Sequence, residues 1–304
     1  MNQKKRTGLP VLFAFNATID FGVLSASPIL PEMNPILRRE SIMITSRQNP
    51  KIKLIRKLNS GPKHRAQAGK FAVEGIRLLE EAGRSAIKPE WVIHTEDLDH
   101  RGELLLEDYR AHQIPCDPVA PEVLEAASDT KTPQGIICVF PLISLPFPPS
   151  PSLLVILDSL NDPGNLGTLM RASLAAGVDG LLLSTGSVDP FSPKVLRSAM
   201  GAHFRLPLQV ADWADIAALT QDLTLLLADM ESGASLWETD MTGSMGIILG
   251  SEAHGPGDEA RSLANQSIHI PMNSAVESLN AAIAGAVLLF EANRQRSRLY
   301  HQDH

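Results

Sequence analysis

Cysteine is scarce in this chain: Cys116 and Cys138 are the only two among 304 residues, and they stand at no metal-ligand spacing. That excludes a disulfide scaffold and a cysteine-built metal site, and it points to a reducing, cytoplasmic compartment. Long uncharged apolar runs are also missing. No stretch approaches the roughly 18 residues that a spanning helix needs, so the chain is read as having no membrane contact. No G-x-G-x-x-G follows any predicted strand, which counts against a nicotinamide dehydrogenase. With 44% apolar residues, dominant disorder, collagen and coiled coil are excluded as well.

Positive charge is short overall, with 27 basic residues against 34 acidic and a net charge of −7. As an average, that argues against a nucleic-acid partner. The distribution says otherwise. Between Met43 and Arg77 nine basic residues face one acid, Glu74, a local charge of +8, while the residues beyond Arg77 carry −17. A chain this dipolar can hold an RNA backbone at one end while the rest keeps it in solution. Arg47, Lys51, Lys53, Arg56, Lys57, Lys63 and Arg65 are the candidate RNA contacts. The alternative is a solvated charged helix, since Pro50 to Leu58 reads as one. The lack of acids at i,i+4 positions favours a ligand.

Residues 1–42 stand apart. Lys4, Lys5 and Arg6 before LPVLFAF have the outline of a signal peptide, but the apolar run is short and Asn16 and Asp20 break up the residues beyond it. With Pro28, Pro31 and Pro35 and no sustained period, the segment reads as a poorly ordered extension, and Met43 as the true domain start. Residues 43–140 then alternate strand and helix: FAVEG, IRLLEEAG, EWVIHT, ELLLEDYRAHQIP, PEVLEAASD and GIICVFPL. This is a small α/β domain. Pro141, Pro146, Pro148, Pro149 and Pro151 mark 141–152 as a semi-rigid linker. Residues 153–304 repeat apolar strands (LLVILD, DGLLLS, LTLLLAD, GIILG, SIHIP) with helices, closing on the long helix AVESLNAAIAGAVLLFEANRQR. Strands that are apolar throughout are covered on both faces. The pattern implies a doubly wound parallel sheet, with ligands at the carboxyl ends of its strands.

Three strand-end loops hold unusual residues. In DSLNDPGNLGTLMRAS, Pro163 and Gly164 turn the chain, Gly167 allows close approach, Asn165 can cap, and Arg171 falls in the second helical turn. In LGSEAHGPGDEA, Gly250, Gly255 and Gly257 free the backbone around Glu252. In IPMNSAVESLNAA, Ser278 and Asn280 lie in the first turns of the terminal helix. Singly, these read as an exposed arginine, a solvated glutamate and helix caps. Together, at the carboxyl edge of one parallel sheet, they mark a site.

The segments DPGNLGTLMRA, LGSEAHG and IPMNSAVESLNAAIAGAVLLFE resemble, in order, motifs one to three of the SpoU/TrmH RNA 2′-O-ribose methyltransferases. ITSRQNPKIK and FAVEG resemble the small substrate-binding domain of ribosomal-RNA members. The resemblance implies S-adenosylmethionine as cofactor, a trefoil knot in the C-terminal domain, a homodimer, and RNA as partner, ribosomal in preference to transfer. It assigns Asn165, Arg171, Glu252, Ser278 and Asn280 to the catalytic set, and Gly250, Gly255, Ile270, Met272 and Leu279 to the cofactor, largely through backbone. Two positions depart from the family: Ser274 replaces a usual glycine, and Ala282 a common serine.

A ribose 2′-hydroxyl is a weak nucleophile and must be aimed or deprotonated as it attacks. A sulfonium methyl is already electrophilic, so the chemistry needs no metal. Arg171 is the group expected to contact the hydroxyl and stabilise developing alkoxide, although a guanidinium is a poor literal base. Glu252 and Asn165 are expected to orient Arg171 and the loops. The rivals are a catalytically silent RNA-binding or ribosome-assembly protein on the same scaffold, and a base methyltransferase.

Overall fold

The computed structural model describes residues 42–302 apart from 231, 274, 276 and 277, so the extension and Ser274 lie outside the described residues. The described residues form one compact unit. It contains two sheets. The amino-terminal lobe runs α1 (Pro50–Ser60), α2 (Pro62–Ala68), β1 (Lys70–Glu74), α3 (Ile76–Gly83), β2 (Trp91–His94), α4 (His100–Ala111), β3 (Cys116–Pro118), α5 (Pro121–Ala127) and β4 (Ile136–Pro141). Its four strands are ordered β1-β4-β2-β3, antiparallel except for the β2–β3 pair. Helix α1 starts where Asn49 accepts from the Lys51 amide and Pro50 takes the first turn, and it buries Ile52, Ile55 and Leu58 on one face. Its charged residues are thereby turned outward.

The carboxy-terminal lobe runs β5 (Leu153–Leu157), α6 (Pro163–Ala175), β6 (Gly180–Ser184), α7 (Pro193–Ala199), β7 (Leu208–Ala211), α8 (Trp213–Leu219), β8 (Thr224–Ala228), β9 (Ala234–Ser235), β10 (Met245–Leu249), α9 (Asp258–Leu263), β11 (Gln266–His269) and α10 (Ala281–Gln302). The seven strands are ordered β7-β6-β5-β10-β8-β11-β9 and every pair is parallel. In β5, β6 and β10 every residue is buried. Leu153, Val155 and Leu157 enter one core while Leu154 and Ile156 enter another, so both faces of the sheet are covered.

Three details differ from the sequence reading. The terminal helix begins at Ala281, because Asn280 Oδ1 accepts from the Ala282 and Ile283 amides at 2.9 and 3.3 Å and caps it there. Arg171 lies in the third turn of α6 rather than the second. The proline-rich segment is packed: the Leu142 amide donates to Gly69 O at 2.8 Å, and a Cβ at Gly180 would meet the Phe147 ring at 2.3 Å. The lobes also share a core. Phe71 and Phe140 of one lobe meet Phe191 and Phe204 of the other, with ring centroids 5.0 Å (Phe71–Phe191) and 5.2 Å (Phe140–Phe204) apart. Ion pairs Arg65–Asp189, Arg197–Asp129 and Arg205–Glu81 cross the same seam.

Candidate functional site

The carboxyl edge of the parallel sheet is organised first by Asp158, the residue after β5. It is 5% exposed and accepts from the Gly257 amide at 2.7 Å, from Ser159 Oγ at 3.2 Å and from Ser184 Oγ at 3.3 Å. One carboxylate thus ties the ends of β5 and β6 to the loop after β10. Ser159 takes a left-handed φ of 52° there, and its amide donates to Ser184 Oγ at 2.8 Å. Neither Asp158 nor Ser184 stood out in the sequence. The available signal was an aspartate directly after five apolar strand residues.

The loop after β10 closes on itself through the reciprocal Ser251 and Gly255 backbone bonds, both 3.0 Å. Gly255 takes φ +66°, and a Cβ at Gly250 would lie 2.2 Å from the Pro256 nitrogen. Gly250 is therefore required by its own loop. That turn presents Glu252, whose Oε2 accepts from the Asn161 amide at 3.2 Å and whose Oε1 accepts from the Asp162 amide at 3.2 Å and from Asn165 Nδ2 at 2.9 Å. Asn165 in turn accepts from Asn280 Nδ2 at 2.9 Å. The cap of α6 is Asp162, which accepts from the Asn165 amide at 2.8 Å and leaves the Asn165 side chain free for this bridge. Glu252, Asn165 and Asn280 therefore form one hydrogen-bonded row joining the three loops. Partial burial pulls the Glu252 carboxyl upward, but the Asn165 side chain and the loop amides outweigh it and hold the group below the usual carboxylate range. It is ionised at neutral pH and suits orientation better than proton abstraction.

Arg171 is not part of that row. It is exposed on α6, six residues beyond Asn165 and so about 120° around the helix axis, and among the described residues it makes no hydrogen bond or ion pair. Glu252 thus orients the first loop without touching Arg171. Ser278 is exposed and likewise unbonded through its side chain. Ile270 and Leu279 are half-buried, Met272 is 37% exposed, and Ala282 is buried in the sheet core. Among the described residues no group of three or more His, Cys, Asp or Glu could hold a metal ion, and no helix is long and apolar enough to cross a membrane.

On the amino-terminal lobe, Arg47, Lys53, Arg56, Lys57 and Lys63 are exposed. Two of the candidate RNA contacts are otherwise engaged. Lys51 pairs with Asp117 and sits 4.9 Å from the Trp91 ring centroid. Arg65 is 4% exposed and bonded to Leu58 O and Asp189, so it is corrected from a surface contact to an internal tie. The sequence shows its charge and not its partner.

Comparison with known proteins bears on the whole of this arrangement. Residues 152–290 match the SpoU rRNA Methylase family, and residues 49–138 the MRM3-like substrate binding domain. An uncharacterized tRNA/rRNA methyltransferase of Synechocystis sp. is 35% identical over 83% of this chain and 94% of its own length. The 23S rRNA (guanosine(2553)-2′-O)-methyltransferase of Bacillus subtilis is 30% identical over 81% of this chain and 97% of its own. The AdoMet-bound rRNA methyltransferase of Sinorhizobium meliloti superposes with a TM-score of 0.74 at 28% identity, over 83% of this chain and 97% of that one. Two matched segments that take in the amino-terminal lobe and all three loops of the Glu252 row, together with relatives similar along nearly their full lengths, place the chain in the SpoU rRNA methylase family.

Proposed function

We propose that the protein transfers a methyl group from S-adenosylmethionine to a ribose 2′-hydroxyl of ribosomal RNA, in the cytoplasm and as a homodimer. The observation that carries the reading is the Glu252–Asn165–Asn280 row, which locks three strand-end loops together beside a helix whose one arginine has no partner among the described residues. The half-buried apolar Ile270 and Leu279, with Met272 on the rim, suit an adenosyl group held largely by backbone. When bound, the cofactor supplies an electrophilic methyl on a sulfonium.

The chain's own residues do the rest. Arg171 donates to the 2′-oxygen and stabilises the negative charge that grows on it as the O–H bond breaks, a charge spent as the O–C bond forms and the methyl's bond to sulfur breaks to leave a neutral thioether. Its guanidinium stays protonated, so the departing proton passes to water or an RNA phosphate. Glu252 and Asn165 hold the first loop against the second, and Asn280 locks the third. Ser278, beside Leu279, is assigned to the same loop as a hydroxyl facing the substrate side. Arg47, Lys53, Arg56, Lys57 and Lys63 hold phosphates at a distance from the chemistry.

The dimer is supported by α10, which leaves Ile283 55% and Phe290 50% exposed seven residues apart on one face. Insertion of β10 between β5 and β8, with α10 returning to pack on α6, is compatible with a knotted chain end. The test is incubation of purified protein with labelled S-adenosylmethionine and ribosomal RNA, followed by alkaline hydrolysis. One phosphodiester becomes resistant next to the label, and light scattering gives twice the monomer mass. A labelled base with a free 2′-hydroxyl would overturn the ribose assignment.

A further inference from the structure

Away from the strand-end loops, Arg65 is the one buried arginine among the described residues. It is 4% exposed, its Nη1 donates to Leu58 O, and its Nε (2.9 Å) and Nη2 both donate to Asp189 Oδ2. Asp189 lies between β6 and α7 in the other lobe, and its second oxygen accepts from the Phe191 amide at 2.9 Å. The same loop is clasped by His203, whose Nε2 donates to Pro190 O at 2.7 Å. One residue before Asp189, the Val188 amide donates to Leu160 O at 2.8 Å. Leu160 is fully buried and leads straight into Asn161 and Asp162, whose amides hold Glu252.

We infer that Arg65 is a positioning residue for methyl transfer: from the amino-terminal lobe it fixes the 185–192 loop, and through Leu160 that loop sets the first strand-end loop against Glu252. The inference rests on the methyltransferase reading above. A chain of contacts alone does not establish coupling. The physical reason is that Asp189 is mostly buried and, among the described residues, has one cationic partner. Without the guanidinium, its carboxylate is left unpaired beside an aromatic seam and must swing toward water. The Phe191 amide is bonded to that carboxylate and Val188 is joined to Asp189 through the backbone, so both move with it. A planar fork spending three donors on two acceptors fixes orientation as well as charge, which a lysine there would not do.

The variants are Arg65→Met, Asp189→Asn and the double substitution. In unliganded protein, Arg65→Met should speed hydrogen exchange at the Val188 amide and across 161–165, leaving the central strands of the parallel sheet unchanged. Turnover should fall about tenfold or more, with RNA and cofactor affinities within about threefold of wild type. The double variant should be no worse than the poorer single one, as expected for two groups acting as a unit. A lower melting temperature with normal turnover per folded molecule would make Arg65 merely structural and overturn the proposal. So would weaker RNA binding with a shallower salt dependence, which would return Arg65 to the surface contacts, or additive losses in the double variant. If Arg65→Met fails to fold, Asp189→Asn, which keeps shape and loses only charge, decides the same questions. Failure of wild type to methylate RNA would instead remove the methyltransferase reading, while the exchange result stands by itself.

Discussion

The seam between the lobes and the carboxyl edge of the parallel sheet use arginine in opposite ways. At the seam, Arg65, Arg197 and Arg205 each meet a carboxylate of the opposite lobe. At the edge, Arg171 is exposed and unpaired among the described residues. The seam pairs are themselves unequal. Arg197–Asp129 is about 40% exposed on both sides and is worth on the order of 1 kcal/mol or less. Arg65–Asp189, at 4% and 19%, is a tie whose breaking strands a charge. A guanidinium already neutralised by a carboxylate has little left for a developing anion. One kept free can give its full charge to a transition state, and an active site keeps such a group at some cost in stability.

That contrast breaks most easily at Arg171. Arg171→Ala should reduce single-turnover methylation by roughly a hundredfold or more, comparable to removing one oxyanion donor, with cofactor affinity within several-fold of wild type. Near-normal turnover would mean the free arginine is no more chemical than the paired ones. A smaller effect is expected at the solvated cations of α1. Reversing Lys53, Arg56 and Lys57 to glutamate should weaken RNA binding about tenfold and flatten its salt dependence by roughly one unit per lost contact. Cofactor binding, in the other lobe, serves as control. Unchanged slopes would mean that α1 is only a solvated face.

The smallest effect sharpens the seam. His203 is fully buried, and its desolvation pushes its pKa down to about 4 despite the bond to Pro190. The neutral form is thus favoured on folding, so its contribution is present above the unfolded value near 6.5 and is lost as pH falls toward 4. Lowering the pH from about 6.5 to 5.5 should cost on the order of 1 kcal/mol of stability. Replacing His203 by glutamine should remove that slope in a pH series of thermal melts. A slope that survives the substitution would assign the acid sensitivity to other groups.

Legibility from sequence followed burial. LLVIL, GLLLS and MGIIL are apolar at every position because both faces of the sheet are covered, so they could be read directly. Strand β7, with two exposed residues in LQVA, the two-residue β9 and the short CDP strand β3 sit at sheet edges with little to bury, and their residues show no period. The short helices α2, α8 and α9 escaped for a similar reason, each burying a single residue where α5, no longer than α2 or α8, buries three. At the site, glycines and a proline announced turns, and the family resemblance picked out Glu252, Asn165 and Asn280. Their hydrogen bonds span 87 and 115 residues, however, and no local pattern encodes such a partner. The same holds for Arg65 and Asp189, 124 residues apart, where local charge suggested RNA and distant packing decided otherwise.

The position of β10 has a consequence for how the chain is made. Strand β5 waits for its inner neighbour through roughly ninety residues of synthesis, while β6 is already available on its other side. At about 5–20 residues per second, that leaves an all-apolar edge uncovered for about 5–20 s after β5 emerges. β8, on the far side of the gap, cannot close onto β5 without giving up the place that MGIIL later fills. The nascent carboxy-terminal lobe can therefore pair only β7, β6 and β5, with the all-apolar β5 as an edge open to self-association and to chaperones until residue 249 clears the ribosome.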